Sequence, residues 1–448
     1  MMNYTIKRYL LVTILFINFF CVKSQNILTL EEAIATALQN NYEIRLAKND
    51  STVAALDYGF RNSVFLPRIN GTAGIVQTDN NQKQEFSSGE VREGKVATGN
   101  VNAALNLNWT LFDGMKMFVI RNQVEEYIKL GQLEIKDQVI NTVAEVINTY
   151  YLIVRQKQQL KAIEEQMSIS QTRVDLSQRK LEIGVGAKPE LLQSKVDLNA
   201  QKASQLQQLN LIEQVKQRLN HLMVPVGPGQ EIPVATDYDV VDTIPINFSI
   251  TIDEIRSGIE NTNPSLLIAQ KNIDLAGLDL RSIKADRFPI IQFNSSYNFT
   301  RTNNDVTLNP AFPLYNRNQG FNYGFSATVP ILNYRNTTRL IQQSELNIGF
   351  QQLMYDNQRA LLHLDVVTAF NSYEFQKKTL ALEESNILLA KENVDIILET
   401  YRLGSSTYLQ LREAQKSLLD AYDRLIAARY NTKLAETELM KLKGELVR

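Results

Sequence analysis

The stretch Asn100–Leu111 reads NVNAALNLNWTL, and its apolar side chains fall at every second position. Val101, Leu105 and Trp109 would share one face of a strand, whereas Asn100 and Asn108 would share the other. Alternation with a period of two is typical of a strand that has one apolar face and one hydrated face. The stretch therefore predicts a strand over about 100–112.

Three further segments repeat this pattern, at about 68–77, 290–300 and 320–332. Gly71 and Gly74 weaken the pattern in the first of them. Between the paired strands, Thr78–Gly99 and Arg301–Gly320 are polar and rich in turn-forming residues, which predicts long loops. Strands of this length with one apolar face and one face of Asn, Ser, Thr and Gln suit an outer-membrane β-barrel. A soluble sheet with one face on a core would show the same alternation.

The sequence also contains an internal repeat. The segments that return after 220 or 222 residues are Leu28–Glu32 as Ile250–Glu254, Phe65–Pro67 as Arg287–Pro289, Trp109–Asp113 as Val329–Asn333, and Gly184 as Gly404. A period of this length is too long for a solenoid, so it indicates duplication of a whole half-protein. We expect a first repeat over 26–222, a linker over 223–249 and a second repeat over 250–448.

Each repeat contains one very long helix and a second, shorter one. Met115–Ile183 and Arg335–Leu403 contain no proline and are rich in Gln, Leu, Ala, Glu and Lys. Because a proline inside a helix costs about 3 kcal/mol, its absence predicts uninterrupted helices, each about 100 Å long. Shorter helices are expected over 190–222 and 408–442. Glycine just past a helix end permits the left-handed cap conformation, so Gly184 and Gly404 predict the tips of two helical hairpins.

The long helices carry apolar side chains at a strict seven-residue spacing. The first column is Val146, Ile153, Leu160, Met167, Val174 and Leu181, and the second is Val366, Tyr373, Leu380, Ile387, Val394 and Tyr401. A sustained heptad column predicts coiled-coil packing between neighbouring helices. A fibrous coiled coil would show the same columns, but it would not require the alternating strands.

The N-terminus resembles a secretory signal. Lys7 and Arg8 precede an apolar run over 9–22 and a polar segment over 23–25, which predicts a signal peptide over 1–25. An uncleaved anchor, or a lipoprotein that begins at Cys21, are the alternatives. Cleavage would remove the only cysteine and three positive charges, which changes the net charge from −1 to about −4. This mild acidity argues against a nucleic-acid partner, which would require a basic surface.

Four strands per chain are too few to close a barrel, because about eight or more are needed and open edges are not tolerated in hydrocarbon. A membrane barrel made of these strands must therefore be shared between subunits. Its polar inner face would line a conduit for solutes, and the long helices would continue the ring. The expected fold class is an α+β membrane protein built from a duplicated strand and long-helix repeat.

Several short segments carry a resemblance to a known family. They are Leu28–Ala33, Asn40-Asn41, Leu66-Pro67, Trp109–Gly114 and Tyr401–Gly404. In this order and spacing they resemble the TolC-like outer-membrane efflux proteins. The resemblance implies a homotrimer in the outer membrane of a Gram-negative bacterium, with a twelve-stranded β-barrel continued by a periplasmic α-helical barrel. It also implies the exit duct of a tripartite efflux or type I secretion system, which works with a periplasmic adaptor protein and an inner-membrane pump of the RND, ABC or MFS type.

The resemblance further implies a gate at the hairpin tips, held in that family by a tyrosine, an acidic residue and an arginine. Tyr401 matches the tyrosine and Glu190 the acidic residue, whereas Ser406 stands at the arginine position. Two acidic rings of the family correspond to Gln410 and Glu413. We therefore expect a closed state held less by ion pairs and a less negative entrance. Tyr401 could instead only pack in its heptad column, and Glu190 could only interact with its helix dipole.

Aromatic side chains in the strands are candidates for the girdles at the membrane interfaces, or for contacts between subunits. They are Trp109, Phe299, Phe321 and Tyr323.

No enzyme is expected from this sequence, and no cofactor or metal is implied. His221 and His363 fall in helices without neighbouring ligand spacing, and no nucleophile elbow or phosphate loop occurs in the sequence. The alternative to a channel is a coiled-coil structural or adhesin-like surface protein without a transport role.

Overall fold

The computed structural model of the 448-residue chain describes residues 27–223, 238–306 and 313–446. The predicted signal peptide with Cys21, and most of the predicted linker over 223–249, lie outside the described residues. In chain order the elements are β1 (Ile27–Leu28), α1 (Leu30–Asn40), α2 (Tyr42–Gly59), a 3₁₀ helix (Arg61–Phe65), β2 (Arg68–Glu85), β3 (Val91–Phe112), α3 (Lys116–Glu182), α4 (Lys188–Met223), β4 (Asp239–Val240), α5 (Ile252–Arg256), α6 (Ile259–Thr262), α7 (Pro264–Ala285), β5 (Ile290–Val306), β6 (Tyr315–Thr328), α8 (Asn336–Arg402) and α9 (Tyr408–Lys443).

The chain divides into two compact units. The first comprises Met1–Ala47, Ile135–Pro264 and Ala360–Arg448, and the second comprises Lys48–Glu134 and Ser265–Arg359. Each unit therefore combines segments from both halves of the sequence, as a duplicated chain allows.

The second unit contains a four-stranded antiparallel sheet in the order β2-β3-β5-β6. One row across the sheet aligns Gly71, Leu105, Tyr297 and Phe321, and the adjacent row aligns Asn70, Asn106, Ser296 and Asn322. Because successive side chains in a strand point to opposite faces, one face is largely apolar and the other is polar. Within the described residues, β2 and β6 each pair on one side only. The sheet thus presents two open edges.

The predicted loops over Thr78–Gly99 and Arg301–Gly320 were wrong in extent, because the strands continue through most of both segments. β2 and β3 stay in register up to Glu85 opposite Val91, and the turn occupies only the residues between them. β5 likewise extends to Val306, and β6 begins at Tyr315. A strand that is hydrated on both faces needs no apolar alternation, so its sequence resembles a loop although its backbone remains paired.

The end of the last strand also differs from the prediction of about 320–332. β6 ends at Thr328, two residues before Pro330. Proline has no backbone N–H to contribute to a ladder, which explains why pairing stops ahead of it.

The two long helices each contain 67 residues, which corresponds to about 100 Å. They begin and end within one residue of the stretches identified from the absence of proline. In the second heptad column all six side chains are buried, from Val366 to Tyr401. In the first column Val146, Ile153 and Val174 are buried, whereas the other three are half-buried.

The main apolar core of the first unit forms where α1, α3 and α4 meet the short parallel pair β1–β4. Tyr150 lies at its centre, 2% exposed, and donates a hydrogen bond from its hydroxyl to the Leu28 carbonyl at 2.9 Å. Thr29 begins α1 with a reciprocal cap, in which the Glu32 carboxylate accepts from the Thr29 amide. No helix in the described residues has the length and apolar character needed to cross a membrane.

Candidate functional site at the hairpin tips

Two tight turns end the helical hairpins, and each depends on one glycine. Gly184 and Gly404 have φ values of 81° and 80°, in the left-handed region. After them, the chain folds back onto the last helical turn: the Gly186 amide donates to the Lys180 carbonyl at 2.8 Å, and the Ser405 amide to the Thr400 carbonyl at 2.8 Å. These contacts satisfy carbonyls that the helix ends would otherwise leave open. They also fix where the next helix begins.

Tyr401, at the end of α8, contacts both helices of the first hairpin. Its hydroxyl donates to the Glu190 carboxylate on α4 and lies 3.2 Å from the Ser177 hydroxyl on α3. Lys180 donates to the Tyr401 carbonyl at 3.1 Å, and its ammonium lies 3.8 Å from the centre of the Tyr401 ring. Tyr401 is 1% exposed, so the packing role and the bonding role coexist in one side chain.

The environment of Tyr401 keeps its hydroxyl protonated. Burial, followed by the bond to the Glu190 side chain, raises the pKa of Tyr401 to about 12. The hydroxyl is therefore a donor throughout the neutral range.

The other three tip residues identified from the sequence have different surroundings. The Ser406 hydroxyl lies 2.5 Å from the Thr400 hydroxyl and closes the tip turn. Gln410 is the reciprocal partner in the cap of α9, because its Oε1 accepts from the Thr407 amide at 2.8 Å. Glu413 is exposed and lines a groove of about 710 Å³. The structure thus joins Tyr401 to Glu190 but gives Ser406 and Gln410 local roles in the turn and the cap.

A second polar cluster lies one heptad inward on α4, around Asp197. Arg173 on α3 donates through Nη2 to Asp197 Oδ2 at 2.8 Å, and Tyr408 donates to the same oxygen at 2.6 Å. Arg412 approaches Asp197 at 3.6 Å. Ser406 stands where the resemblance implies an arginine. Two other arginines, Arg173 and Arg412, nevertheless contact the Asp197 carboxylate close to the tip.

The charges of this cluster compensate one another. Burial alone would raise the pKa of Asp197, but hydrogen bonds from Tyr408 and Gln193 and the charges of Arg173 and Arg412 outweigh it, so the pKa of Asp197 is lowered. Burial and the bond to Asp197 raise the pKa of Tyr408 to about 12. The cluster therefore holds an ionised Asp197 and a neutral Tyr408 at neutral pH.

This cluster was not predicted from the sequence, although a numerical signal was present. Tyr408 and Asp197 each stand seven residues after Tyr401 and Glu190, so both tyrosine–carboxylate pairs span 211 residues. Arg173 directly precedes Val174 of the first heptad column, a position that places a charged side chain beside the core. The residues seven positions after Tyr401 and Glu190 are Tyr408 and Asp197, so the heptad spacing predicts this second pair.

The predicted interface aromatics lie on the sheet of the second unit. Trp109 is 40% exposed and donates from its indole nitrogen to the Phe65 carbonyl at 2.8 Å. Phe321 and Tyr323 are exposed, with ring centres 5.8 Å apart, and the Arg317 guanidinium lies over the Phe299 ring. Opposite them, the Ser296 hydroxyl donates to the Asn322 amide oxygen at 2.5 Å, as part of the polar face.

The two histidines are separated from the tips. His363 lies 2.9 Å from a carboxylate oxygen of Glu260, and His221 is exposed near the end of α4. Among the described residues, no group of three or more His, Cys, Asp or Glu side chains is arranged to hold a metal ion.

Comparison with known proteins identifies the family. A family described as "Outer membrane efflux protein" matches residues 33–227 and 256–445. Among characterised relatives, a probable efflux pump outer membrane protein, TtgC of Pseudomonas putida, is 22% identical over 93% of this chain and 82% of its own. Outer membrane protein TolC of Vibrio cholerae is 22% identical over 86% of this chain and 83% of its own. The crystal structure of the Campylobacter jejuni CmeC outer membrane channel superposes with a TM-score of 0.75 at 16% identity, covering 93% and 85% of the two chains.

This chain belongs to the outer membrane efflux protein family, because the match covers most of both repeats. The resemblance identified from the sequence is therefore confirmed, and so is the localisation in the outer membrane with a periplasmic extension. A role as a channel in efflux follows from the family.

Proposed function

We propose that three copies of this chain form one continuous duct, in which each copy contributes four strands to a twelve-stranded barrel. The observation that carries the proposal is the two-faced sheet with open edges at β2 and β6. Unpaired strand edges are not stable in hydrocarbon, whereas edge-to-edge pairing between copies satisfies every backbone group. Outer-membrane lipid then covers the apolar face, and the row of Asn and Ser side chains lines the lumen.

The duct receives substrates from a periplasmic adaptor protein and an inner-membrane pump, and it releases them outside the cell. The relatives support an efflux role, since TtgC is a probable efflux pump outer membrane protein. Type I secretion is the second transport system in this proposal. Because a shared duct makes few specific contacts with what passes through it, the pump partner determines the substrate.

We assign the gate of this duct to the hairpin tips. Tyr401 holds the second hairpin to Glu190 of the first, and Lys180 and Ser177 fix the tyrosine from two further sides. Glu413 contributes negative charge near the entrance, whereas Gln410 does not. Gly184 and Gly404 supply the turns that place these groups at the tips.

The test is conduction by the purified full chain in planar lipid bilayers. We expect discrete, mostly closed channels from outer-membrane fractions, and Tyr401→Ala should raise the mean conductance by removing the bond and the packed ring together. Export assays in a strain that lacks the gene, with co-purification of adaptor and pump, test the partners. A chain that reaches the cell surface but neither conducts nor restores export would instead support the adhesin-like alternative.

A further inference from the structure

A series of polar contacts between the hairpins continues inward from the tip, along α9. Tyr408, Gln415 and Tyr422 follow at seven-residue spacing, which places them on one face of the helix. Each is bonded to a charged side chain of the first hairpin. The three pairs are Tyr408 with Asp197, Gln415 with Arg173, and Tyr422 with Glu165, and we name these six residues the polar ladder.

The middle pair of the ladder is the most deeply buried. Arg173 is 1% exposed and donates through Nη1 to Gln415 Oε1 at 2.8 Å, while its charge is balanced by Asp197. Removing Asp197 would leave the charge of Arg173 uncompensated in the interior. The ladder therefore joins the second hairpin to the first by contacts that depend on one another.

Three donors in and beside the ladder have no protein acceptor among the described residues. In the part of the chain that the structure describes, Arg173 Nε, Gln415 Nε2 and Gln166 Nε2 are buried without a hydrogen-bond partner. The same three side chains line the groove of about 710 Å³ that Glu413 also lines. The specific bonds between the two hairpins therefore lie beside a groove.

Beyond the ladder, the second hairpin also meets the first through an apolar core. Farther along α9, Tyr430 packs against the core that contains Val146, Tyr150 and Ile153. If the hairpins separated here, these side chains would be exposed to water without gaining compensating hydrogen bonds. This core therefore limits how far the hairpins can separate.

We propose that the polar ladder is an inner latch, which keeps the hairpins together after the tip bond of Tyr401 has broken. This inference rests on the proposed duct function. The duct then opens as the pairs of the ladder break one after another, from the tip inward to the pair of Tyr422 and Glu165.

Two tyrosine substitutions test the inner latch in the full-length chain. Tyr408→Phe and Tyr422→Phe each remove one hydroxyl and retain the ring. Tyr430→Phe is the matched control on the same helix, because its hydroxyl lies 3.5 Å from the Asn148 carbonyl, outside the ladder. We expect each ladder variant to raise the open fraction roughly tenfold, since it loses a hydrogen bond to a charged group, and the control to match the wild type.

Two measurements separate this inference from the proposed function. Conductance in planar bilayers reports transport, and electron–electron distances between spin labels at Lys195 on α4 and Ser417 on α9 report hairpin separation. Increased separation in the Tyr408→Phe and Tyr422→Phe variants supports the latch, even if no variant conducts and the duct function fails. Conducting channels in which Tyr401→Phe opens the gate, while both ladder variants match the wild type in both measurements, would overturn the latch.

Discussion

Tyr401 and Tyr408 are tyrosines whose hydroxyls donate to carboxylates across a helix–helix interface, and both hydroxyls remain protonated at neutral pH. The pKa of each rises from the ordinary value of 10.0 to about 12 in the folded chain. A group with a raised pKa contributes its full stability below the unfolded value and loses it as the pH rises through the folded value. The tyrosine bonds therefore weaken above about pH 10.

The pKa of Asp197 shifts in the opposite direction to those of the two tyrosines. Its pKa is lowered from 3.8, so its contribution is present above that value and is lost only as the pH falls further. We predict that the closed fraction is constant between about pH 5 and pH 9, because Tyr401 and Tyr408 stay neutral and Asp197 stays ionised in that window. Single-channel recordings across this range check the prediction. A gating transition near pH 6 would show that a different titrating group controls the tip.

At the residue scale, the sequence predicted the tip pair but not its neighbours. Tyr401 and Glu190 could be named because their positions match those of the family's gate. Lys180 and Ser177 could not be named, because only the three-dimensional course of α3 brings them against Tyr401. Gln410 illustrates a different limit: its side chain closes a helix cap, a role that depends on local backbone geometry rather than on residue type.

At the scale of single elements, the glycines of the tips support a direct comparison. Gly404 has φ 80° and open space around its Cβ position, so Gly404→Ala would cost about 1 kcal/mol from backbone strain alone. Gly349 lies inside α8, also with open space, so Gly349→Ala should stabilise the chain by about 0.5–1 kcal/mol. Thermal unfolding of the two variants measures both effects. Equal shifts of the same sign would contradict the assigned cap.

The helix cap of α9 gives a second prediction at this scale. Thr407 accepts from the Gln410 amide, and Gln410 accepts from the Thr407 amide. Thr407→Ala removes half of this exchange and should destabilise the start of α9 by about 1 kcal/mol, whereas Thr407→Ser should retain it. Hydrogen exchange of the first turn of α9 distinguishes the two variants, and equal protection in both would exclude a capping role.

Among the elements, the helices of the two hairpins were predicted closely, whereas the four strands were located but their far ends were not. Helix ends are marked by glycine and by the end of a heptad column, and both signals were present in this sequence. Beyond Thr78 and Arg301 the strands carry mostly polar side chains, so neither face supplies an apolar signal. Their extent is set by backbone pairing with a neighbouring strand, which periodicity does not report.

At the scale of the whole molecule, the two faces of the sheet should respond differently to charge. Leu105 is 55% exposed on the apolar face, and Asn106, the next residue of β3, lies on the polar face. An arginine facing lipid at mid-depth costs about 2–4 kcal/mol, whereas a lumen position tolerates it. We predict that Leu105→Arg reduces assembly in the outer membrane and that Asn106→Arg assembles normally but changes ion selectivity. Heat-modifiable migration of outer-membrane fractions measures assembly, and normal migration of Leu105→Arg would contradict a lipid-facing position.

The central claim is that the four strands of one chain are completed by strands from other copies. The most direct test is the number of chains in the particle extracted from outer membranes, measured by native mass spectrometry in detergent. Three chains per particle are expected, since twelve strands close a barrel without open edges. A single chain that stays folded and soluble after the detergent is removed would contradict the shared barrel.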